Sequence, residues 1–255
     1  MVRGSDIIDP EVIKNSPIPN GRTLSPEPMT GRPRAEHPVD LPKDVNGAID
    51  FNAWEARLRK KGVRGLPDTE LVKKINEARA GNHDSQAELR LAERYANAGY
   101  EVEIVRPTAE TPAGDIPVID EPLSPDLRIK LPGQAETARV DVKFREPGKQ
   151  ITKSNLNTQI DKANNQIRQS EEGNGDIIFD GSQASSGGLN QAEIERYLNG
   201  KMKGNRSAPE AQLKNVDYLE VIYPDTVSGQ AVLKRSFMVR TADGNVNGPF
   251  TEKLK

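Results

Sequence analysis

Pro125-Asp126-Leu127-Arg128-Ile129-Lys130-Leu131 and, beyond Pro132-Gly133, Arg139-Val140-Asp141-Val142-Lys143-Phe144-Arg145 are two runs in which apolar residues alternate with polar ones. A period of two marks half-buried strands, and the Pro-Gly pair between them marks a turn, so the two runs form an antiparallel hairpin or part of a meander. If Val140, Val142 and Phe144 face a core, then Arg139, Asp141, Lys143 and Arg145 face the other way. Asp141 and Lys143 thus project side by side. Asp126 opens the first strand, and pairing brings it to a ladder position neighbouring Asp141, with the register left open.

The segments on either side complete a mixed domain. Upstream, a helix starts after Asp84 and reaches Ala98, with Gly99 as its stop. Ala92 and Tyr95 mark its buried stripe, beside Leu91, and Glu88 falls on the same stripe, whereas Glu93 and Arg94 are expected off it. A carboxylate aligned with an apolar stripe is costly unless something pairs with it, which singles out Glu88. Tyr100-Glu101-Val102-Glu103-Ile104 alternates as a strand, followed by a Pro- and acid-rich loop over 107–122 whose Asp115, Asp120 and Glu121 read as solvated.

Downstream, residues 155–170 form an amphipathic helix with Leu156, Ile160, Ala163 and Ile167 on its apolar stripe and Gln159, Lys162 and Gln166 on an adjacent polar face. Asp176-Ile177-Ile178-Phe179-Asp180 reads as a buried strand. Asn190 and Glu193 are spaced as a capping box for a helix carrying Ile194, Tyr197 and Leu198. Two strand-like runs follow, over 216–223 and 231–240, with Pro224-Asp225 and Gly229 in the turn between them. From residue 84 the order is α-β-β-β-α-β-α-β-β, a mixed α/β (α+β) domain around one sheet, expected over 84–255. Residues 46–83 read as two small packing helices without chemistry. Asp50 caps the first, with Phe51, Trp54 and Leu58 on its stripe and Gly62 after it. Asp68 caps the second, with Leu71, Val72, Ile75 and Ala78 on its stripe and Gly81 after it. Residues 1–45 hold eight prolines and few apolar residues, and are expected to form a disordered tail or linker.

Composition narrows the chemistry. The 255 residues are 34% hydrophobic and 29% charged, so any core is modest. The absence of cysteine excludes disulfide scaffolds, thiolate zinc sites and cysteine nucleophiles. The only histidines are His37, in the Pro-rich tail, and His83, so a paired-histidine site is not expected. A net charge of -2 excludes a uniformly basic nucleic-acid coat but leaves room for a local basic cleft. Such basic residues occur at Arg145, Lys149, Lys153, Lys162 and Arg168, and again in Lys201-Met202-Lys203-Gly204-Asn205-Arg206. No apolar run approaches the roughly 20 residues that span a bilayer, and no apolar segment follows Met1-Val2-Arg3 as in a Sec-type signal peptide. The expected place of action is the cytoplasm, reached directly or after delivery into a target cell by another route.

Carboxylates gathered in one crevice repel each other, and a divalent cation is their natural partner. Mg²⁺ takes one or two carboxylates and completes its octahedron with water. Such an ion activates water and shields a phosphoryl group, and an adjacent lysine stabilises the charge that develops. Asp126, Asp141 and Lys143, with Glu88 if it faces the same crevice, form a toolkit for phosphodiester hydrolysis that needs neither histidine nor cysteine.

Pro125-Asp126, a gap of 14 residues, then Asp141-Val142-Lys143 resembles the motif of the PD-(D/E)xK nuclease superfamily. Glu88-Leu89-Arg90-Leu91-Ala92-Glu93-Arg94-Tyr95-Ala96-Asn97-Ala98-Gly99-Tyr100 resembles its first helix and strand, and the segment 155–167 resembles the polar helix that follows its motif. Within the superfamily the chain is most similar to the C-terminal tRNA nuclease toxin domain of contact-dependent inhibition proteins and related bacterial polymorphic toxins, over roughly residues 84–240. The resemblance implies a restriction-endonuclease-like fold. It implies Asp126 and Asp141 as metal ligands, Glu88 as a further ligand or orienting acid, and Lys143 as the catalytic lysine. Gln166, Gln159 and Lys162 would contact substrate or support the site. It further implies Mg²⁺ (or Mn²⁺ or Zn²⁺) as cofactor, RNA and specifically tRNA as substrate, and a cognate immunity protein as partner. A DNA endonuclease of the same superfamily and a catalytically inactive interaction module are the alternatives.

Overall fold

The computed structural model describes residues 39–105, 125–130, 137–169, 174–204, 213–227, 229–241 and 243–254. The Pro-rich segment as far as residue 38, the acidic loop expected over 107–122 and the Pro132-Gly133 turn lie outside the described residues.

Helix α1 (Phe51–Lys60) starts where Asp50 accepts a hydrogen bond from the Ala53 N–H, and its Trp54 and Leu58 are buried. A short strand not expected from the sequence, β1 (Val63–Leu66), follows. Helix α2 (Thr69–Arg79) does not use Asp68 as a side-chain cap. Leu71, Ile75 and Ala78 are buried as expected, but Val72 is exposed and Lys74 and Glu70 point inward. Helix α3 (His83–Asn97) is capped by Asn82, whose side chain accepts the Ser85 N–H. It is buried on nearly all sides, so Glu93 and Arg94, expected off the buried face, are buried too. Both have partners. Glu93 receives the Trp54 indole N–H at 2.8 Å and the Lys61 ammonium at 3.0 Å. Arg94 donates to Glu220 at 3.1 Å.

Strands β2 (Glu101–Val105), β3 (Leu127–Lys130) and β4 (Ala138–Phe144) form the expected meander. Helix α4 (Lys153–Gln169) leads to β5 (Gly175–Asp180), parallel to β4. Helix α5 (Gln191–Lys203) begins with the Asn190–Glu193 capping box read from the sequence. Strands β6 (Val216–Val227) and β7 (Gln230–Arg240) form a long hairpin. Pro224 and Asp225, expected in its turn, instead pair within the strand with Leu233 and Val232. A further strand absent from the sequence reading, β8 (Val246–Leu254), pairs with β7.

The described residues form a mixed α/β structure: five helices on an eight-stranded sheet whose spatial order follows the sequence order, β1 to β8. Strand pairing is parallel at β1–β2, β4–β5 and β5–β6 and antiparallel elsewhere. Two apolar clusters lie on the sheet. One gathers α1, α2 and α3 over β1–β4, from Trp54 through Leu89 to Val140 and Val142, and crosses residue 84 without a break. The other gathers α4 and α5 over β5–β7, from Leu156 and Ile160 to Phe179 and Tyr223. α4 also packs on β4. None of the helices described is long and apolar enough to cross a membrane.

Candidate functional site

The register of the meander decides what meets. Leu127 faces Val140 and Arg128 faces Arg139, so one step further along the ladder Asp126 stands opposite Asp141. Asp126 is fixed there through its backbone and its side chain. Its carbonyl accepts the Val105 N–H at 3.0 Å, and its Oδ2 accepts the Val142 N–H at 2.6 Å. Val140 and Val142 belong to the cluster under α3, and strand alternation turns Arg139, Asp141 and Lys143 to the other face. Arg139 confirms that direction, since its guanidinium donates to the Ile167 carbonyl of α4.

Asp141 is buried, at 1% exposure. Lys143 forms an ion pair with its Oδ1, and the same ammonium lies 3.9 Å from Asp126 Oδ2. One cation therefore already bridges the two carboxylates. Asp141 Oδ2 is buried and without a hydrogen bond among the described residues. Burial first, then the nearby charge of Asp126, pushes the Asp141 carboxyl up to about 7. Burial alone would depress the Lys143 ammonium, but the attraction of Asp126 and Asp141 outweighs it and raises its pKa.

Glu88 reaches the same region from α3, where its charge acts on Lys143 and the charge of Asp126 acts on it. Its carboxylate is engaged by a residue the sequence reading left without chemistry: Lys74 of α2, whose ammonium stands 3.0 Å from Oε1 and 2.8 Å from Oε2. Burial, then Asp126, raises the Glu88 carboxyl to about 8 even with that partner. Asp84, one helical turn before Glu88, is the second residue not singled out from the sequence. It is exposed, and the start of its helix is fixed over the end of β4, where the His83 and Phe144 ring centroids are 6.5 Å apart. Partial burial raises its pKa, with Lys143 opposing and Asp126 reinforcing the rise.

The acids Asp84, Glu88, Asp126 and Asp141 thus interleave with the ammonium groups of Lys74 and Lys143. Among the described residues no three Asp, Glu or His side chains close around one point. Charge neutralisation within the protein is carried by the lysines. Asp126 and Asp141 are the two acids that the ladder brings face to face, and the unanswered Asp141 oxygen suits a hard cation, which needs only one or two carboxylates. Glu88 is held by Lys74.

The signal for Lys74 was present in the sequence: residues 71, 74, 75 and 78 share one helical face, so a lysine sat on an apolar stripe just as Glu88 did. On α4, Gln159 and Gln166 are half-buried and Lys162 is exposed. With Asn155 they follow the spacing of one face, and the Asn155 side-chain oxygen is buried without a partner among the described residues. Of the basic residues, Lys149, Lys153, Lys162 and Arg168 are exposed. Arg145 is half-buried and donates to the Gln150 carbonyl. Lys201 pairs with Asp161 and Lys203 donates to the Gly248 carbonyl. Arg206 lies outside the described residues.

Compared with known protein families and with curated proteins, the chain finds no match.

Proposed function

We propose that the protein is a divalent-metal-dependent nuclease with a restriction-endonuclease-like domain, centred on Asp126, Asp141 and Lys143. The observation that carries this reading is the facing pair of carboxylates at the β3–β4 ladder, bridged by one lysine, with a buried carboxylate oxygen left unanswered. Asp126 and Asp141 would hold the ion, which when bound supplies charge shielding and activation of water. Lys143 supplies a positive charge next to the position of a scissile phosphate, where it stabilises the charge developing on the phosphoryl oxygens. The Val142 N–H fixes the Asp126 carboxylate in place, so the acid pays no reorganisation cost on loading. Exposed Lys149, Lys153, Lys162 and Arg168 supply backbone contacts, and Gln159 and Gln166 polar contacts to the substrate. The scarcity of aromatic residues, 4%, leaves no base-stacking platform in this reading.

The substrate we favour is RNA, in particular tRNA, with the protein acting as a toxin domain neutralised by an immunity protein. This rests on the resemblance of the Glu88–Tyr100 and 125–167 segments to contact-dependent inhibition nucleases. A DNA endonuclease with the same centre is the second reading. Purified protein is incubated with tRNA and with plasmid DNA, with Mg²⁺ and with EDTA. Cleavage is expected with Mg²⁺ only, and Asp141→Ala or Lys143→Ala is expected to lower it by about 10²–10³-fold. Cleavage that survives EDTA or both substitutions overturns the assignment, and the preferred substrate separates the two readings.

A further inference from the structure

The charge of Asp126 acts on two lysines, Lys143 and Lys74. At the β3–β4 ladder it stands opposite Asp141, with the Lys143 ammonium 3.9 Å from its Oδ2. Towards α2 and α3 its charge acts on Glu88 and on Asp84, one turn earlier. Glu88 already has a cation beside it. Lys74 is buried at 7% exposure and touches both oxygens of Glu88, and its ammonium is 4.0 Å from Glu77 Oε2. Asp126 adds its field, so the attraction of the acids more than offsets the burial that would depress this ammonium.

A buried lysine held this way carries one positive charge on a fixed tether. It balances the carboxylates without water, whereas a divalent ion in the same place would need to keep several waters in a closed, apolar layer of Leu71, Ile75 and Leu89. It also engages Glu88, whose Oε1 accepts its hydrogen bond and whose Oε2 lies 2.8 Å from the same ammonium.

We propose that the Lys74 ammonium occupies the position of a second cation, so that the protein loads a single divalent ion, at Asp126 and Asp141, and Glu88 is bound by Lys74 rather than serving as a metal ligand. The inference rests on the functional reading above only in taking Asp126 and Asp141 as the loaded pair. It also makes α2, in the segment before residue 84, a constituent of the centre.

The experiment counts Mn²⁺ ions bound to the metal-stripped full-length chain by titration calorimetry and by electron paramagnetic resonance of free Mn²⁺, without nucleic acid. Wild type is expected to bind one ion. Lys74→Met, which keeps the apolar stem and removes the charge, is expected to bind two, or to bind the first at least tenfold tighter. Lys74→Arg is expected to bind one as wild type does. In the Lys74→Met background, Asp141→Asn should remove one ion and Glu88→Gln the other. A wild-type count of two, or a Lys74→Met variant that folds by circular dichroism and binds one ion with unchanged affinity, overturns the inference while leaving the nuclease reading intact. A wild-type count of zero overturns both. If Lys74→Met does not fold, Lys74→Gln carries the same comparison, and the wild-type count still decides against the inference if it is two.

Discussion

Asp141 shows the conflict between stability and chemistry at the level of one side chain. It is buried beside a second carboxylate, one of its oxygens has no hydrogen bond among the described residues, and its carboxyl is pushed up to about 7. Glu88 is pushed up to about 8. Ordinary carboxylates lose their protons near pH 4, so between about pH 4 and pH 7–8 the folded chain holds protons that the unfolded chain has released. Stability must then fall as pH rises through that window. In EDTA, the urea midpoint is expected to drop between pH 5 and pH 8. Asp141→Asn should flatten part of the drop and leave the metal-free protein more stable at pH 8, by on the order of 1 kcal/mol, while lowering cleavage by about 10²–10³-fold. A midpoint that rises with pH, or an Asp141→Asn variant less stable than wild type at pH 8, would contradict the burial argument.

At the level of elements, α3 is the most informative. Its pattern predicted a surface helix with one buried stripe, and it became a helix enclosed between the sheet and the α1–α2 layer. Its charges are therefore neutralised one by one: Glu88 by Lys74, Arg90 by Asp180 at 3.0 Å, Glu93 by Arg57 and Lys61, and Arg94 by Glu220. Glu220 sits among Arg94, Arg235 and the Tyr218 hydroxyl. Burial would raise its carboxyl, but Arg94 and Arg235 hold it below the usual carboxylate range. Removing such a charge strands its partners in the interior. Glu220→Ala is expected to cost about 3–5 kcal/mol in urea denaturation, well above the ~0–1 kcal/mol expected for an exposed pair such as Arg59–Glu55. A cost under 1 kcal/mol would show that the pair is not closed to water.

For the whole molecule, the apolar cluster that joins Trp54, Leu58, Leu71 and Ile75 to Leu89, Ala92 and Val142 makes the first helices part of one folding unit with the sheet. Trp54, the only tryptophan, ties α1 to Glu93 of α3. Its fluorescence is expected to change in the same urea transition as the far-ultraviolet circular dichroism. A chain truncated to residues 84–255 is expected to lose cooperative unfolding, because one face of α3 would be bared. Two separate transitions in the full-length protein, or a cooperative truncated chain, would instead show that residues 46–83 are an appendage.

How much of this was legible follows from which interactions are local. The alternation of 125–131 and 139–145, the Asp50 and Asn190 caps and the stripe Leu156-Ile160-Ala163-Ile167 depend on neighbours a few residues away, and the sequence by itself determined those elements and the juxtaposition of Asp141 with Lys143. Strands β1 and β8 were not legible. Val63–Leu66 is four residues long, and Val246–Leu254 carries Gly248-Pro249, which reads as a turn yet is tolerated on a strand that, among the described residues, lies at the sheet edge beside β7. Pro224 likewise entered a strand because, among the described residues, β6 beyond Ile222 pairs with β7 and not with β5. Only the tertiary structure decided that Asp126 stands opposite Asp141, that Glu93 and Arg94 are interior, and that Lys74 closes on Glu88. Register and helix burial are fixed by contacts between segments far apart in the chain, and no local pattern specifies them.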